Sequence, residues 1–239
     1  MKTSRIAAAM PVVASLAGCS MLSPAVAPVR PVDSGPFAAA VEASSGSVGK
    51  VGGQSCRGGT VVGTAFFVGD RLAITAAHVV SGAHRVEVRF DTGVINAEVI
   101  GRDPGEDTAL LRLATAPKRT PLTLATAPLS VGAEVVMLGY PIPQSELVIT
   151  GARITAVNET ARLDGQLLTN LITADAEVPV GTSGGPIIDA AGTVQAMANA
   201  SMPGRGGRDS STTVTLAIPA ERLAAKIAAW RENPALGCG

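Results

Sequence analysis

The sequence predicts an all-β fold in which two antiparallel β-barrels pack together and one α-helix follows them. Hydrophobic residues make up 46% of the 239 residues but aromatic residues only 3%, and 27 glycines and 16 prolines supply frequent turns. This composition favours many short strands over long helices. The apolar runs also fall into two sets, which the proline-rich stretch APKRTPLTLATAP at residues 116–128 separates. Two sets of short strands are typical of two closed antiparallel sheets.

The first set of apolar runs lies at about residues 55–116 and predicts the N-terminal barrel. Residues 59–68 read GTVVGTAFFV, and a Gly-Asp turn leads from them into residues 71–74. Residues 84–90 alternate as HRVEVRF, and an Asp-Thr-Gly turn joins them to VINAEVIG at residues 94–101. This alternation around a turn is the pattern of a β-hairpin.

The second set, at about residues 128–219, predicts the C-terminal barrel. Its runs read GAEVVMLGY, ELVITGARITAV, QLLTNLITA, GPIIDAAGTVQAMANA and STTVTLAIP. Residues 220–231, AERLAAKIAAWR, have helical spacing, because Leu223, Ile227 and Trp230 fall on one face. A proline directly before them suits the start of a helix.

The N-terminus has the pattern of a secretory signal peptide over residues 1–18. Basic residues precede an apolar stretch that is too short to cross a bilayer comfortably. The stretch ends in LAGC, which resembles the lipobox of bacterial lipoproteins, where the chain is cut before the cysteine and its thiol carries a diacylglycerol. This resemblance implies lipidation at Cys19 and anchoring in the bacterial envelope, with the serine that follows favouring the outer membrane facing the periplasm. An ordinary signal peptide with a chance cysteine is the alternative.

Residues 19–47 are rich in Pro, Ala, Ser and Gly and predict a flexible tether between the lipid and the folded domain at residues 48–239. In that domain, Cys56 and Cys238 form an even pair, which suggests a disulfide bond in an exported protein. Closing so long a loop would stabilise the fold by roughly 4–5 kcal/mol in a chain-entropy model. Two free or buried thiols are the alternative.

Charge and motif content exclude several classes of function. Lys and Arg together number 19, as do Asp and Glu, so the formal net charge is zero. This balance argues against a nucleic-acid-binding protein. Neither a metal-ligating cluster of Cys, His and acidic residues nor a phosphate-binding loop is evident, so we expect no metal and no cofactor.

The segment GTSGGP at residues 181–186 contains a candidate nucleophile. GTSGG fits the nucleophile elbow of α/β-hydrolases, but that arrangement requires a histidine after the serine, and His78 and His84 both precede it. The subtilisin order requires an aspartate well before the histidine, and Asp70 is too close to His78. The remaining order is His78, Asp107 and Ser183, which would supply base, orienting carboxylate and nucleophile.

Other residues compete for two of these roles. Asp103 and Glu106 lie near Asp107, but Asp103 precedes a Pro-Gly turn and is expected to face solvent. Asp107 leads directly into an apolar run, so its carboxylate can point inward. We interpret His84 as a surface residue.

These residues resemble those of the chymotrypsin-fold serine proteases, in particular the bacterial HtrA/Deg branch. The resemblance rests on the segments ITAAHVV around His78, DTALLRL from Asp107 and GTSGGP around Ser183. The segments GYP and TGARIT, TADA ahead of the serine, and LAIP near the end are also similar to that branch. The resemblance covers about residues 58–228 and implies two six-stranded barrels that carry a serine endopeptidase site.

The resemblance also assigns residues around the serine. It implies an oxyanion hole made by the backbone N–H groups of Gly181 and Ser183. It implies that Ala198, Asn199 and Ala200, with the residue after them, pair with an extended polypeptide substrate by β-augmentation. Glu177 stands where trypsin-like relatives carry an acid that selects Lys or Arg, whereas the HtrA-like pattern is apolar there. Glu177 could therefore be the floor or the rim of the specificity pocket.

Two hypotheses about function remain open from the sequence. The first is a lipid-anchored serine endopeptidase that acts through an acyl-enzyme, consisting of the protease domain with no PDZ domain after it. The second is a catalytically silent protein of the same fold that binds peptides or serves as a scaffold. Extended polypeptides are the expected partners in the first case, and the oligomeric state is not predicted.

Overall fold

A computed structural model describes residues 35–163, 165–203 and 213–237. The elements within these ranges are α1 (Ala38–Ser45), β1 (Val48–Gln54), β2 (Thr60–Gly69), β3 (Leu72–Thr75), β4 (Arg85–Phe90), β5 (Gly93–Asp103), β6 (Thr108–Leu113), β7 (Glu134–Gly139), β8 (Val148–Leu163), β9 (Gln166–Ala174), β10 (Pro186–Ile188), β11 (Val194–Pro203), β12 (Thr213–Pro219) and α2 (Ala220–Trp230). No helix in these ranges has the length and apolar character needed to cross a bilayer.

The first six strands close into one antiparallel barrel with the order β1-β2-β3-β6-β5-β4. Strand β4 shows why the sequence forms it, because Val86, Val88 and Phe90 are buried while the residues between them are exposed. This period of two matches a half-buried strand. The hairpin between β4 and β5 pairs Phe90 with Gly93, as the Asp-Thr-Gly turn predicts.

The remaining strands close into a second antiparallel barrel with the order β10-β11-β12-β9-β8-β7. Its β8 and β9 form a long hairpin whose pairing register shifts at several points. The predicted all-β, two-barrel fold with a C-terminal helix is confirmed.

Helix α2 leaves the second barrel and packs back on the first. It begins after Pro219 and buries Leu223, as its apolar spacing predicts. The residues that follow the helix lie against the first barrel, where the side chain of Arg112 donates hydrogen bonds to the carbonyls of Arg231 and Asn233 at 3.0 and 2.8 Å. The helix therefore ties the two barrels together near the end of β6.

The folded part begins earlier than the sequence predicts. Residues 19–47 are expected to be tether, yet α1 lies within them, and Phe37 and Ala40 are buried. Strand β1 reads VGKVGGQ and precedes the predicted start of the barrel. Alanine and serine in α1 and glycine in β1 give no apolar periodicity, so neither element has a sequence signal of the usual kind.

Candidate active site

His78 and Asp107 meet through two hydrogen bonds. Nδ1 of His78 lies 2.7 Å from Oδ2 of Asp107, and the backbone N–H of His78 donates to Oδ1 at 2.8 Å. Asp107 is buried, whereas the side chain of His78 is 43% exposed. One carboxylate therefore fixes both the backbone and the ring of the histidine.

Asp107 occupies the end of a tight turn between β5 and β6. Its φ is +42°, a left-handed conformation that aspartate tolerates better than most residues. Within the turn, Oδ1 of Asp103 accepts the backbone N–H groups of Gly105 and Glu106 at 2.9 and 3.1 Å. Asp103 and Glu106, the competitors in the sequence, thus shape the turn from which Asp107 points inward.

Two basic side chains of helix α2 form ion pairs with carboxylates of this turn. Nζ of Lys226 lies 2.6 Å from Oδ2 of Asp103 and 3.6 Å from Glu106, and Arg222 lies 3.3 Å from Glu106. Burial raises the pKa of Asp103, but the hydrogen bond and charge of Lys226, with the backbone N–H groups of Glu106 and Gly105, together lower it by more, so the pKa lies below its usual value. The ion pair between Lys226 and Asp103 is therefore intact at neutral pH and weakens as the pH falls through that lowered pKa.

Asn199 contacts the same carboxylate from the second barrel. Its side-chain N–H donates to Oδ2 of Asp107 at 2.7 Å, and the residue is buried. The pairing of β11 with β12 shifts register between Ala198 and Ala200. The side chain of Asn199 therefore departs from the alternation of side chains between the two faces of the strand. The sequence predicts a substrate-binding role for Asn199, whereas the structure places its side chain on Asp107.

The serine turn is brought to the histidine by close contact between the barrels. Gly184 has a φ of +88°, and a Cβ there would collide with the carbonyl oxygen of Thr64 and lie 2.5 Å from Oγ1 of Thr75. Only glycine lets the turn approach β2 and β3 so closely. Thr75 ends β3 three residues before His78. Ser183 and His78 therefore line one cleft.

Thr64 joins the serine turn to the first barrel by several hydrogen bonds. Its Oγ1 donates to the carbonyl of Gly181 at 2.8 Å and accepts the N–H of Tyr140 at 3.0 Å. Its backbone N–H donates to the carbonyl of Ser183 at 2.9 Å. None of the sequence motifs includes this residue, although a threonine inside an apolar strand is a signal, because a buried hydroxyl needs partners.

The N–H of Gly181 is oriented by the carbonyl of its own peptide. The carbonyl of Val180 accepts the N–H of Ile142 at 2.8 Å. In a planar trans peptide the N–H points opposite to the carbonyl, so the Gly181 N–H is turned away from Ile142. The φ of Gly181 is +99°, and a Cβ would lie 2.6 Å from the carbonyl oxygen of Tyr140.

The N–H of Ser183 is fixed by the same principle. The carbonyl of Thr182 accepts the N–H of Gly185 at 2.9 Å, which turns the Ser183 N–H the other way. Among the described residues, neither this N–H nor that of Gly181 donates to another protein group. Two preset donors beside a serine hydroxyl can stabilise a developing oxyanion. Thr182, between these two residues, is buried.

The cleft beside Ser183 has a volume of about 640 Å³. Next to the serine its wall consists of small or aliphatic residues: Val178, Pro179, Val180, Ala198, Ala200 and Ser201. Oγ of Ser201 accepts the N–H of Val178 at 2.8 Å and donates to its carbonyl at 3.1 Å, so the two sides of the pocket are joined.

Strand β11 has an open edge along the cleft. Its pairing with β10 reaches only to Met197, and the backbone of Ala198 bonds to Gly184 and Gly185. Beyond that point β11 continues to Pro203, paired with β12 alone among the described strands. An edge with unused backbone groups is the feature to which an extended peptide adds as a strand.

The other predicted site residues lie away from this cleft or outside the described residues. Glu177 is exposed and is not among the described residues that line the cleft. Cys56 is disulfide-bonded and its Sγ lies 3.5 Å from Nδ1 of His84, whereas Cys238 and Cys19 lie outside the described residues. In the described part of the chain, no group of three or more His, Cys, Asp or Glu could hold a metal ion.

Two closed barrels with a histidine and a buried aspartate from one, and a serine from the other, define the class of the chymotrypsin-like serine proteases. The family model of the trypsin-like peptidase domain matches residues 63–197. Because this match covers more than half of the chain, the chain belongs to the trypsin-like peptidase family. The resemblance to HtrA-type proteases is also confirmed by the relatives.

Curated relatives include serine protease Rv3671c of Mycobacterium tuberculosis, which is 36% identical over 140 residues, or 55% of this chain and 34% of the relative. The mitochondrial serine protease HTRA2 of Bos taurus is 32% identical over 166 residues, 67% of this chain and 34% of the relative. The chain thus spans about a third of the length of these relatives. The crystal structure of the active form of the Rv3671c protease superposes with a TM-score of 0.72 at 29% identity and covers 92% of this chain and 98% of that one.

Proposed function

We propose that the chain is a serine endopeptidase with His78, Asp107 and Ser183 as its catalytic triad. The observation that carries this proposal is the doubly bonded His78–Asp107 pair in one cleft with Ser183. The proposal is further supported by the preset N–H groups of Gly181 and Ser183. A triad needs a base, an orienting carboxylate and donors for the oxyanion, and this cleft contains candidates for each.

The mechanism follows from these positions. Oγ of Ser183 attacks the scissile carbonyl while Nε2 of His78 takes its proton. The carbonyl oxygen becomes an oxyanion that accepts the N–H groups of Gly181 and Ser183. The C–N bond then breaks as His78 returns the proton to the leaving amine, which leaves an acyl-enzyme on Ser183. Water, deprotonated by His78, repeats the sequence and releases the acid.

An active-site probe tests this proposal. We expect a fluorophosphonate to label the folded protein at a single residue, because only an activated serine attacks phosphorus at a useful rate. Mass spectrometry of the labelled peptide should place the adduct on Ser183. Folded protein that stays unlabelled at long exposure would contradict the proposal and favour the catalytically silent, peptide-binding alternative.

We further propose that the pocket for the residue before the cut, P1, accepts small aliphatic side chains. Ser201 closes the pocket against Val178, and Glu177 lies outside the described lining. A buried ammonium would therefore lack a counter-charge, which costs several kcal/mol. This argues against the selection of Lys or Arg that the acid at position 177 suggests.

Peptides that differ only at P1 test the pocket. Those with Ala or Val should have a kcat/KM at least about tenfold higher than those with Lys or Arg. Glu177→Gln should leave that ratio unchanged. A preference for Lys or Arg that disappears in Glu177→Gln would show instead that Glu177 forms the pocket floor.

We propose that the protein is exported and anchored to the envelope through lipid on Cys19. The support is the lipobox-like sequence, and export agrees with the predicted disulfide between Cys56 and Cys238. Two or more acyl chains are needed for stable anchoring. Mass spectrometry of the mature N-terminus from a membrane fraction checks the proposal, and an unmodified N-terminus that starts beyond Cys19 would contradict it.

A further inference from the structure

Arg102 lies on the first-barrel side of the catalytic cleft, and the proposed mechanism gives it no role. It stands next to the last residue of β5 and is exposed. Together with Pro104 it lines the same cleft as His78 and Ser183. An exposed guanidinium beside a peptide-binding edge is a candidate recognition group.

The carboxylates nearest to Arg102 in sequence are engaged by other groups. Asp103 binds Lys226 and caps its own turn, and Glu106 lies near Arg222 and Lys226. Asp107 accepts hydrogen bonds from His78 and Asn199. No described residue forms an ion pair with Arg102, so among the described residues its charge is not neutralised locally.

The β8–β9 hairpin lines the same cleft as Arg102 and contributes no carboxylate among its described residues. Leu163, Gln166 and Leu168 are its lining residues. The one acidic lining residue in the described ranges is Asp107, which His78 and Asn199 hold. Among the described residues, this part of the cleft therefore presents one cation, Arg102, beside apolar and amide groups, an environment that favours an anionic side chain.

The direction of a bound peptide, which rests on the proposed function, places its residues relative to Arg102. With P1 in the pocket beside Ser183, the preceding residues lie along the open edge of β11 towards Pro203. Side chains of an extended peptide alternate between two sides. Since the P1 side chain enters the second barrel, those of P2 and P4 face the first barrel, where Arg102 and Pro104 lie.

We propose that Arg102 is a specificity-determining residue that binds an acidic side chain at P2 or P4 of the substrate. The substrate class is thus an extended polypeptide with a small aliphatic P1 residue and Asp or Glu two or four residues upstream. Because the ion pair is exposed, its contribution is modest and depends on salt.

Matched peptides with Glu or Gln at P2, P3 or P4 and Val at P1 test this proposal. At low salt we expect kcat/KM to be roughly two- to fivefold higher for Glu than for Gln at P2 or P4. At P3 we expect the Glu and Gln peptides to have equal kcat/KM. The ratio should fall towards one at high salt. Arg102→Gln should abolish the ratio, Arg102→Lys should keep part of it, and Arg102→Glu should favour peptides with Lys over those with Gln at P2 or P4. Arg85→Gln, an exposed arginine of the same barrel outside the described cleft lining, is the matched control.

Binding to the Ser183→Ala variant separates this inference from the proposed function. If the Kd for the Glu peptide is lower than for the Gln peptide, and Arg102→Gln removes the difference, Arg102 recognises the acid whether or not the protein is catalytic. Equal Kd values and equal rates in an enzyme that a fluorophosphonate labels would overturn the inference alone. An equal loss of rate on all peptides in Arg102→Gln would assign it a structural role and also overturn it. Absence of labelling and cleavage would instead contradict the proposed function.

Discussion

Ser183→Ala is expected to lower kcat for peptide hydrolysis by about 10⁶-fold with little change in KM. The variant keeps the proposed oxyanion donors, because the Ser183 N–H is oriented by the bond between Thr182 and Gly185 rather than by the hydroxyl. It also keeps the open edge of β11, to which the substrate is proposed to add. Residual hydrolysis should therefore still exceed the uncatalysed rate by about 10³–10⁴-fold.

His78→Ala should lower kcat by about as much as Ser183→Ala, and the double variant should lower it no further than either single variant does. The reason is that the hydroxyl is a poor nucleophile without its base, and the base has no function without the hydroxyl. Steady-state and single-turnover kinetics on one P1-Val peptide measure these rates. Ser130→Ala and His84→Gln are the matched controls, since neither residue lines the described cleft. Losses that multiply in the double variant would show that Ser183 and His78 do not act as a unit.

The sequence predicts well those features that depend on local pattern or on distinctive residue types. The alternation in β4 and the apolar face of α2 are visible within one element, and both are confirmed by burial. The order of His78, Asp107 and Ser183 excludes competing nucleophile arrangements before any geometry is known. The structure then gathers these residues in one cleft.

Features that depend on distant contacts are not predictable in this way. The hydroxyl of Thr64 bonds to Gly181, which is 117 positions away in the chain. Asn199 reaches Asp107 because a register shift in β11 turns it inward, and a shift of one residue has no local sequence signature. Strand β1 forms although three of its seven residues are glycine, because pairing with β2 and β4 stabilises it. In each case tertiary contact overrides local preference.

Glu177 shows the limit of arguing from a single position. The distance from Ser183 in the sequence matches that of the acid in trypsin-like relatives, but the pocket depends on which side chains face inward. Here Ser201 bonds to Val178 across the pocket, and Thr215 donates to the carbonyl of Ala176 at 2.6 Å. These bonds fix the backbone on either side of Glu177, whose side chain is exposed. The number of residues between Glu177 and Ser183 therefore does not by itself determine which P1 side chain the pocket accepts.

Asp107→Asn is expected to lower kcat by about 10⁴-fold while the fold and KM change little. The carboxylate accepts hydrogen bonds from the backbone and ring of His78 and from Asn199. In the variant, the amide oxygen can still accept the His78 backbone N–H, which leaves the amide NH₂ facing the ring and Asn199. Nδ1 of His78 must then be the acceptor, so the proton moves to the other ring nitrogen, which can no longer take the proton of Ser183.

The controls for this prediction distinguish a change in the His78 tautomer from a change in the fold. Asp91→Asn changes a carboxylate that pairs with Arg119 outside the described cleft, and it should retain the wild-type rate. Nitrogen NMR of the His78 ring should show Nδ1 protonated in the wild type and Nε2 protonated in Asp107→Asn. Fluorophosphonate labelling should slow in parallel with kcat, because both reactions need the same base. If Asp107→Asn kept the rate within about tenfold, the carboxylate would serve packing rather than orientation, and the Asp-His-Ser arrangement would not be a working triad.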